Sequence, residues 1–220
     1  MSDVLVRLNN VTRQYTVGSN VVFALKEASC AVMASNHVAV MGASGSGKST
    51  LLSLMAALDR PDFGTVSWPS VPDPSHLRPK HVAVSFQASS LLPSLTVRQN
   101  VEVPLLVLGE SNAISRAKEA LDRLGLVNLG ERFPDEISGG QAQRVGLARA
   151  MAASPKLLLA DEPTGQLDQK TGQSAIDTLL AWSDETRCTL VVATHDQQVA
   201  RKFKNLWRMS FGVLDTGTEQ

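Results

Sequence analysis

The most constraining feature of the chain is the run Gly42-Ala43-Ser44-Gly45-Ser46-Gly47-Lys48-Ser49-Thr50. A short apolar strand, Val38-Ala39-Val40, enters it. A helix over 48–58, with Leu51, Leu52, Met55 and Leu58 on one side, leaves it. The pattern G-x-x-x-x-G-K-[ST] between a strand and a helix is built to hold phosphate. Gly42, Gly45 and Gly47 let the backbone curl until successive N–H groups face the same oxygens. The helix N-terminus adds the positive end of its dipole. Lys48 carries a point charge to the β and γ phosphates, and the Ser49 hydroxyl is placed to ligate Mg²⁺. This element commits the chain to a strand-fed helix and to a nucleotide. It leaves kinases, GTPases and ATPases equally open.

The remainder reads as an α/β chain with a helical insertion. Val4-Leu5-Val6, Val21-Val22-Phe23 and Ala31-Val32-Met33, separated by Gly18-Ser19-Asn20 and Ser35-Asn36, predict an antiparallel strand cluster. Residues 61–80 carry five prolines, at 61, 69, 72, 74 and 79, and predict weak order with one short strand over 65–68. Residues 81–86 form a further strand candidate. Helical periodicity then dominates, clearest over 97–108, 114–124 and 141–152. The continuous apolar runs 157–160 and 189–193 fit strands covered on both faces. The expected fold is therefore an α/β core with a mostly parallel sheet, an N-terminal antiparallel β-subdomain and an inserted α-helical subdomain. The chain divides as one domain over 1–220, with 1–86 and 156–220 as core and 87–155 as the helical part.

Polar groups end several of these strands. Leu157-Leu158-Leu159-Ala160 runs directly into Asp161-Glu162, at the sheet edge where open α/β folds bind ligands. Asp161 suits the metal ion and Glu162 a water, as general base. His195 follows 189–194, and Gln87 follows the strand at 81–86. With Lys48, four strand ends thus converge on one edge. A second anion-facing surface lies at Ile137-Ser138-Gly139-Gly140-Gln141-Ala142-Gln143-Arg144, where Ser138 can cap a helix beginning near Gln141 and the glycines leave N–H groups accessible. Two such surfaces far apart in one chain suggest a composite site across a dimer.

Taken together these residues resemble the ATP-binding cassette (ABC) ATPases, nearly end to end. Residues 42–50 are similar to the Walker A loop, so Gly42, Ser44, Gly45, Gly47, Lys48, Ser49 and Thr50 are implied to hold the triphosphate. Gln87 stands at the Q-loop glutamine, implied both as a nucleotide contact and as a metal ligand. Ser138, Gly139, Gly140 and Gln141 resemble the LSGGQ signature, with Ile137 in place of Leu. Residues 157–162 resemble Walker B, with Asp161 at the metal and Glu162 as catalytic glutamate. Gln166-Leu167-Asp168 resembles the D-loop, His195 the switch histidine, and Tyr15 the aromatic residue that stacks on adenine. The resemblance implies ATP and Mg²⁺ as cofactors. It also implies a head-to-tail homodimer around two ATP, with Glu162, His195, Lys48 and Gln87 as catalytic residues.

Phe86-Gln87, residues 91–105 and residues 161–168 resemble the branch of lipoprotein-releasing, macrolide-export and cell-division cassettes. That implies an integral membrane permease as partner, contacted in part through 91–105. Ser35-Asn36-His37 stands where members often carry Gly-Glu, Gln166 replaces a common Asn, and the stretch 64–86 looks short. None of these removes a catalytic group.

Composition narrows the alternatives. Lys plus Arg and Asp plus Glu both number 21, so there is no basic excess for nucleic acid and none for a polybasic membrane contact. No apolar run reaches the roughly 20 residues that span a bilayer, and MSDVLVRLNN has no apolar signal segment. Cys30 and Cys188 read as buried thiols in a reducing compartment. The expected location is cytoplasmic, peripheral on the cytoplasmic face of the inner membrane, attached only through the permease. The competing reading is a non-transport ABC ATPase. A nucleic-acid or ribosome-associated form would need tandem cassettes, a coiled coil or a basic surface. An iron–sulfur assembly form would lack the permease contact at 91–105.

Overall fold

The computed structural model describes residues 3–88 and 90–217. Its first element is a long hairpin, β1 (Val4–Val17) and β2 (Asn20–Met33), turned by Gly18 at φ 64°. The short apolar pieces read from the sequence are thus segments of two continuous strands. Register shifts carry the ladder past the polar interruptions, where Asn10 and Glu27 take positive φ (47° and 48°). Two further strands are β3 (Val38–Met41) and β4 (Phe63–Ser67), and β4 pairs with the other edge of β1 to give the order β2-β1-β4.

The second sheet has the order β5 (Val82–Ser85), β6 (Leu157–Asp161), β7 (Thr189–Thr194), β3, β8 (Asn205–Ser210), β9 (Val213–Asp215). Strands β5 to β8 run parallel, and β9 is antiparallel. Every residue of β6 and β7 is buried. Because side chains alternate across a strand, the two strands supply two cores. Leu158, Ala160, Leu190 and Val192 join the helices on one side. Leu157, Leu159, Val191 and Ala193 join the hairpin and α1 (Lys48–Met55) on the other.

Helices α2 (Val97–Val107), α3 (Ala113–Arg123) and α4 (Gly139–Ala152) form the inserted layer. Val97, Val101, Leu105, Ala117, Leu121, Val145 and Leu147 bury one continuous cluster that runs on to the sheet. Capping boxes fix two starts: Thr96 with Gln99, and Ser138 with Gln141. The latter helix therefore begins at Gly139, two residues earlier than expected, with Gln141 as its third position.

Other expectations change. Helix α1 ends at Met55 rather than 58, because Ala57 already takes φ 53°. Residues 61–80 are pinned: Trp68 Nε1 donates to the Met55 carbonyl at 2.8 Å, and Val71 and Leu77 are buried. Helix α5 (Gln169–Thr186) was not legible as a helix, although Gly172, Ala175, Ile176, Leu179 and Trp182 form its buried stripe. Glycine and alanine at the start of that stripe dilute the apolar signal. Cys188 is buried as expected, but Cys30 is only partly so.

Candidate active site

The carboxyl edge of the parallel sheet carries the chemistry, for a topological reason. β5 leads to Gln87, β6 to Asp161 and Glu162, β7 to His195, and β3 through the glycine loop to Lys48. An open cavity of about 350 Å³ gathers Lys48, Gln87, Glu162 and His195. Gly45, Gly47, Lys48, Ser49 and Thr50 line its floor, Tyr15, Val22 and Phe23 one wall, and Gln87, Glu162 and His195 the other.

The loop can take this shape only with glycine at two positions. Gly47 has φ 108°, and a Cβ there would stand 2.2 Å from the Ala24 carbonyl oxygen; a Cβ on Gly42 would stand 2.3 Å from that of Met209. Lys48 is buried. Its Nζ donates to the carbonyls of Gly42 (2.8 Å) and Ala43 (3.0 Å) and lies 3.4 Å from Glu162 Oε1. The cation is thereby held against the loop carbonyls and Glu162, largely shielded from solvent. Glu162 Oε2 meets His195 Nδ1 at 2.9 Å, so lysine, glutamate and histidine form one chain across the cavity. Glu162 is itself in the left-handed region, φ 46°, and only 7 % exposed. A bulky residue held there costs free energy that the surroundings must supply. Its N–H donates to the Ala193 carbonyl (2.9 Å), and its carbonyl accepts from Gly165 N–H (3.0 Å) and Gln143 Nε2 (2.7 Å).

Asp161 lies behind this wall. Burial holds its pKa above the ordinary carboxylate value, an effect that nearby Glu162 reinforces and that the Ser49 hydroxyl bond and Lys48 oppose. Its Oδ1 is buried without a partner. A carboxylate oxygen left orphaned beside a serine hydroxyl fits a hard cation such as Mg²⁺, which takes one or two protein oxygens and completes its shell with phosphate and water.

The structure does not bring every expected site residue here. Gly42, Ser138, Gly139, Gly140, Gln141, Asp161 and Asp168 line no part of this cavity. Asp168 caps α5 by accepting from Thr171 N–H. The signature glycines instead pack on the segment before it: a Cβ on Gly140 would meet the Gln166 carbonyl oxygen at 2.9 Å and Leu167 Cδ2 at 3.0 Å. Sequence reasoning assigned no role to Gln143, yet it is fully buried and bonds both Glu162 and the Gln166 N–H (2.8 Å). A polar residue on the buried face of α4 was the available signal. Arg13 and Asp59, which grip Tyr15, carried no such signal.

A parallel sheet whose strand ends deliver a loop lysine, a serine hydroxyl, two adjacent carboxylates and a histidine to one edge defines a P-loop nucleoside triphosphatase. Comparison with known proteins narrows this further. A family model described as ABC transporter matches residues 25–165. The ABC transporter ATP-binding protein MJ0796 of Methanocaldococcus jannaschii is 40 % identical over 210 residues, covering 90 % of this chain and 89 % of that protein. The macrolide export ATP-binding/permease protein MacB of Bartonella quintana is 40 % identical over 221 residues, covering 96 % of this chain but 33 % of that protein, so the chain spans about a third of its length. Among solved structures, the dimeric post-hydrolysis state of MJ0796 bound to ADP and Pi superposes with TM-score 0.88 at 34 % identity, covering 98 % of this chain and 100 % of that one. The chain belongs to the ABC transporter family, as an ATP-binding, ATP-hydrolysing cassette.

Proposed function

We propose that two copies of this chain close head to tail around two ATP molecules and drive a separate integral membrane permease. The observation that carries this is the division of the motif residues. Lys48, Ser49, Glu162 and His195 line one open cavity with Asp161 behind its wall, while Ser138 to Gln141 line no part of it. A signature helix start with exposed N–H groups is an anion surface without an anion source in its own subunit. A C2 dimer satisfies both surfaces at once. The similar MJ0796 cassette, solved as a dimer with ADP and Pi, supports pairing of two such chains.

Within it, Lys48 and the loop N–H groups hold the β and γ phosphates, and Tyr15 takes the adenine. Glu162 accepts a proton from the attacking water, and His195, bonded to Glu162, orients it and faces the γ phosphate. Gln87, beyond β5, reports the state of the cavity to the helical layer. Ser49, Asp161 and Gln87 would hold Mg²⁺, which supplies charge neutralisation for the transferred phosphoryl group when bound. Asp168 positions the head of α5 at the dimer seam.

The permease reading rests on the helical layer. A groove of about 360 Å³ between β5 and α2 is lined by Leu58, Phe86, Val103, Pro104 and Val107, and Leu92, Leu106 and Val107 are exposed. MacB, which carries its permease in the same chain, supports the same coupling and the lipoprotein-release, drug-export or mechanotransmission branch. Among the described residues no helix is long and apolar enough to cross a membrane. Attachment on the cytoplasmic face of the membrane through a permease accords with this. In this reading the chain is one domain, with 1–86 and 156–220 as catalytic core and 87–155 as the helical subdomain. Zero net charge gives no support to the nucleic-acid alternative.

Glu162→Gln tests the assignment. Turnover should fall about a hundredfold or more, while ATP drives the variant into a stable dimer in size-exclusion chromatography. Full turnover would remove Glu162 from the role of base.

A further inference from the structure

Four side chains outside the phosphate loop form one connected cluster at the base end of the cavity. Arg13 and Tyr15 lie two apart on β1, hence on the same face of the strand. The Arg13 guanidinium carbon sits 4.6 Å from the centroid of the Tyr15 ring. Asp59, just beyond the C-terminus of α1, accepts from Tyr15 Oη (2.7 Å) and from Arg13 Nε (2.8 Å) through the same oxygen. Asp62 accepts from Arg13 Nη1 (3.1 Å) and from the Gln14 N–H (2.8 Å), and its own N–H donates to the Thr12 carbonyl (2.9 Å).

Each contact removes one freedom from the tyrosine. The strand sets its backbone, Arg13 covers one ring face, and Asp59 fixes the hydroxyl and so the ring tilt. The ring so held lines the cavity wall. A planar guanidinium stacked on a ring also makes that ring a better-held platform than a free side chain. Helix α1 starts at Lys48, under the phosphates, and the segment after it delivers Asp59 to the tyrosine. Phosphate loop and tyrosine are therefore linked through α1 and the segment that follows it.

We propose that Asp59 and Arg13 are positioning residues that pre-set Tyr15 as the nucleobase platform, and so determine how strongly this cassette reads the base as distinct from the triphosphate. This rests on the assignment of Tyr15 to adenine made above. Ordering the ring before binding removes a conformational cost that binding would otherwise bear.

The test uses Asp59→Asn and Arg13→Lys in the full chain, with Tyr15→Ala beside them. Thermal melts confirm that each variant is folded. Steady-state ATPase assays give KM and kcat, and competition by inorganic tripolyphosphate, which has no base, reads the phosphate site alone. Asp59→Asn and Arg13→Lys should each raise the KM for ATP about three- to tenfold. Inhibition by tripolyphosphate should stay within twofold of the parent, and so should kcat at saturating ATP. Equal weakening of ATP and tripolyphosphate would overturn the proposal in favour of a merely structural cluster. If Tyr15→Ala raises KM while Asp59→Asn and Arg13→Lys leave it unchanged, the clamp fails and the adenine assignment stands. If Tyr15→Ala leaves KM unchanged, the adenine assignment itself fails.

Discussion

Replacing Gln143 by leucine isolates the contact that ties the signature helix to the catalytic wall. The two side chains are close in volume, so no large cavity opens and the cost is polar. Gln143 is 1 % exposed and makes two bonds, Nε2 to the Glu162 carbonyl at 2.7 Å and Oε1 from the Gln166 N–H at 2.8 Å. The Glu162 carbonyl keeps the Gly165 N–H at 3.0 Å, so only an ordinary hydrogen bond goes there, about 1 kcal/mol. The Gln166 N–H belongs to an exposed residue, so water can replace the lost acceptor and this loss too is about 1 kcal/mol. Burying leucine in place of an amide returns part of this, leaving about 1–2 kcal/mol. For a chain of this size each kcal/mol moves the melting temperature by about 2–4 °C, so the melt should fall by about 2–8 °C. Turnover should fall more than nucleotide binding, because the released segment carries Glu162 at its strained φ of 46°. Circular dichroism melts and steady-state ATPase rates measure both. A melting temperature within 1 °C of the parent together with full turnover would refute the role given to Gln143.

Ser138→Arg should leave ATP binding by the monomer intact while abolishing ATP-driven dimerisation and hydrolysis, read by equilibrium binding and size-exclusion chromatography; retained hydrolysis would remove the composite site. It also deletes the cap of α4, at a cost of about 1 kcal/mol. Asp161→Asn should abolish Mg²⁺-dependent hydrolysis yet raise the melting temperature of the nucleotide-free protein at pH 7. The sign follows from the raised folded pKa: the protonated acid is compatible with folding below the unfolded value near 4, and stability is lost as pH rises through the folded value. The gain from asparagine should therefore shrink towards pH 4 in melts across that range, and a gain independent of pH would contradict it.

Much of the site was legible from local chemistry. A glycine loop between a strand and a helix, carboxylates at the end of an apolar run and a serine ahead of two glycines each announce a function through backbone conformation alone. The helix α5 was not legible, because its buried stripe opens with Gly172 and Ala175, which carry little apolar surface. The order of residues 61–80 was not legible either. Its anchors are single long-range contacts, such as Trp68 with the Met55 carbonyl, that leave no periodic trace.

The sequence by itself determined which groups come together: Lys48, Ser49, Asp161, Glu162 and His195 follow the carboxyl ends of strands, and parallel pairing must bring such ends to one edge. Only the tertiary structure decided how they are held. The sheet order β5-β6-β7-β3 brings these strand ends side by side, side-chain contacts set Glu162 between Lys48 and His195, and Gln143 reaches across from another layer to hold the Glu162 carbonyl. Asp59 and Asp62 reach Arg13, and Asp59 also Tyr15, from a segment more than forty residues away in the chain. Periodicity and motif spacing describe neighbours along the backbone. Contacts between distant segments depend on register and packing, which are properties of the folded chain as a whole.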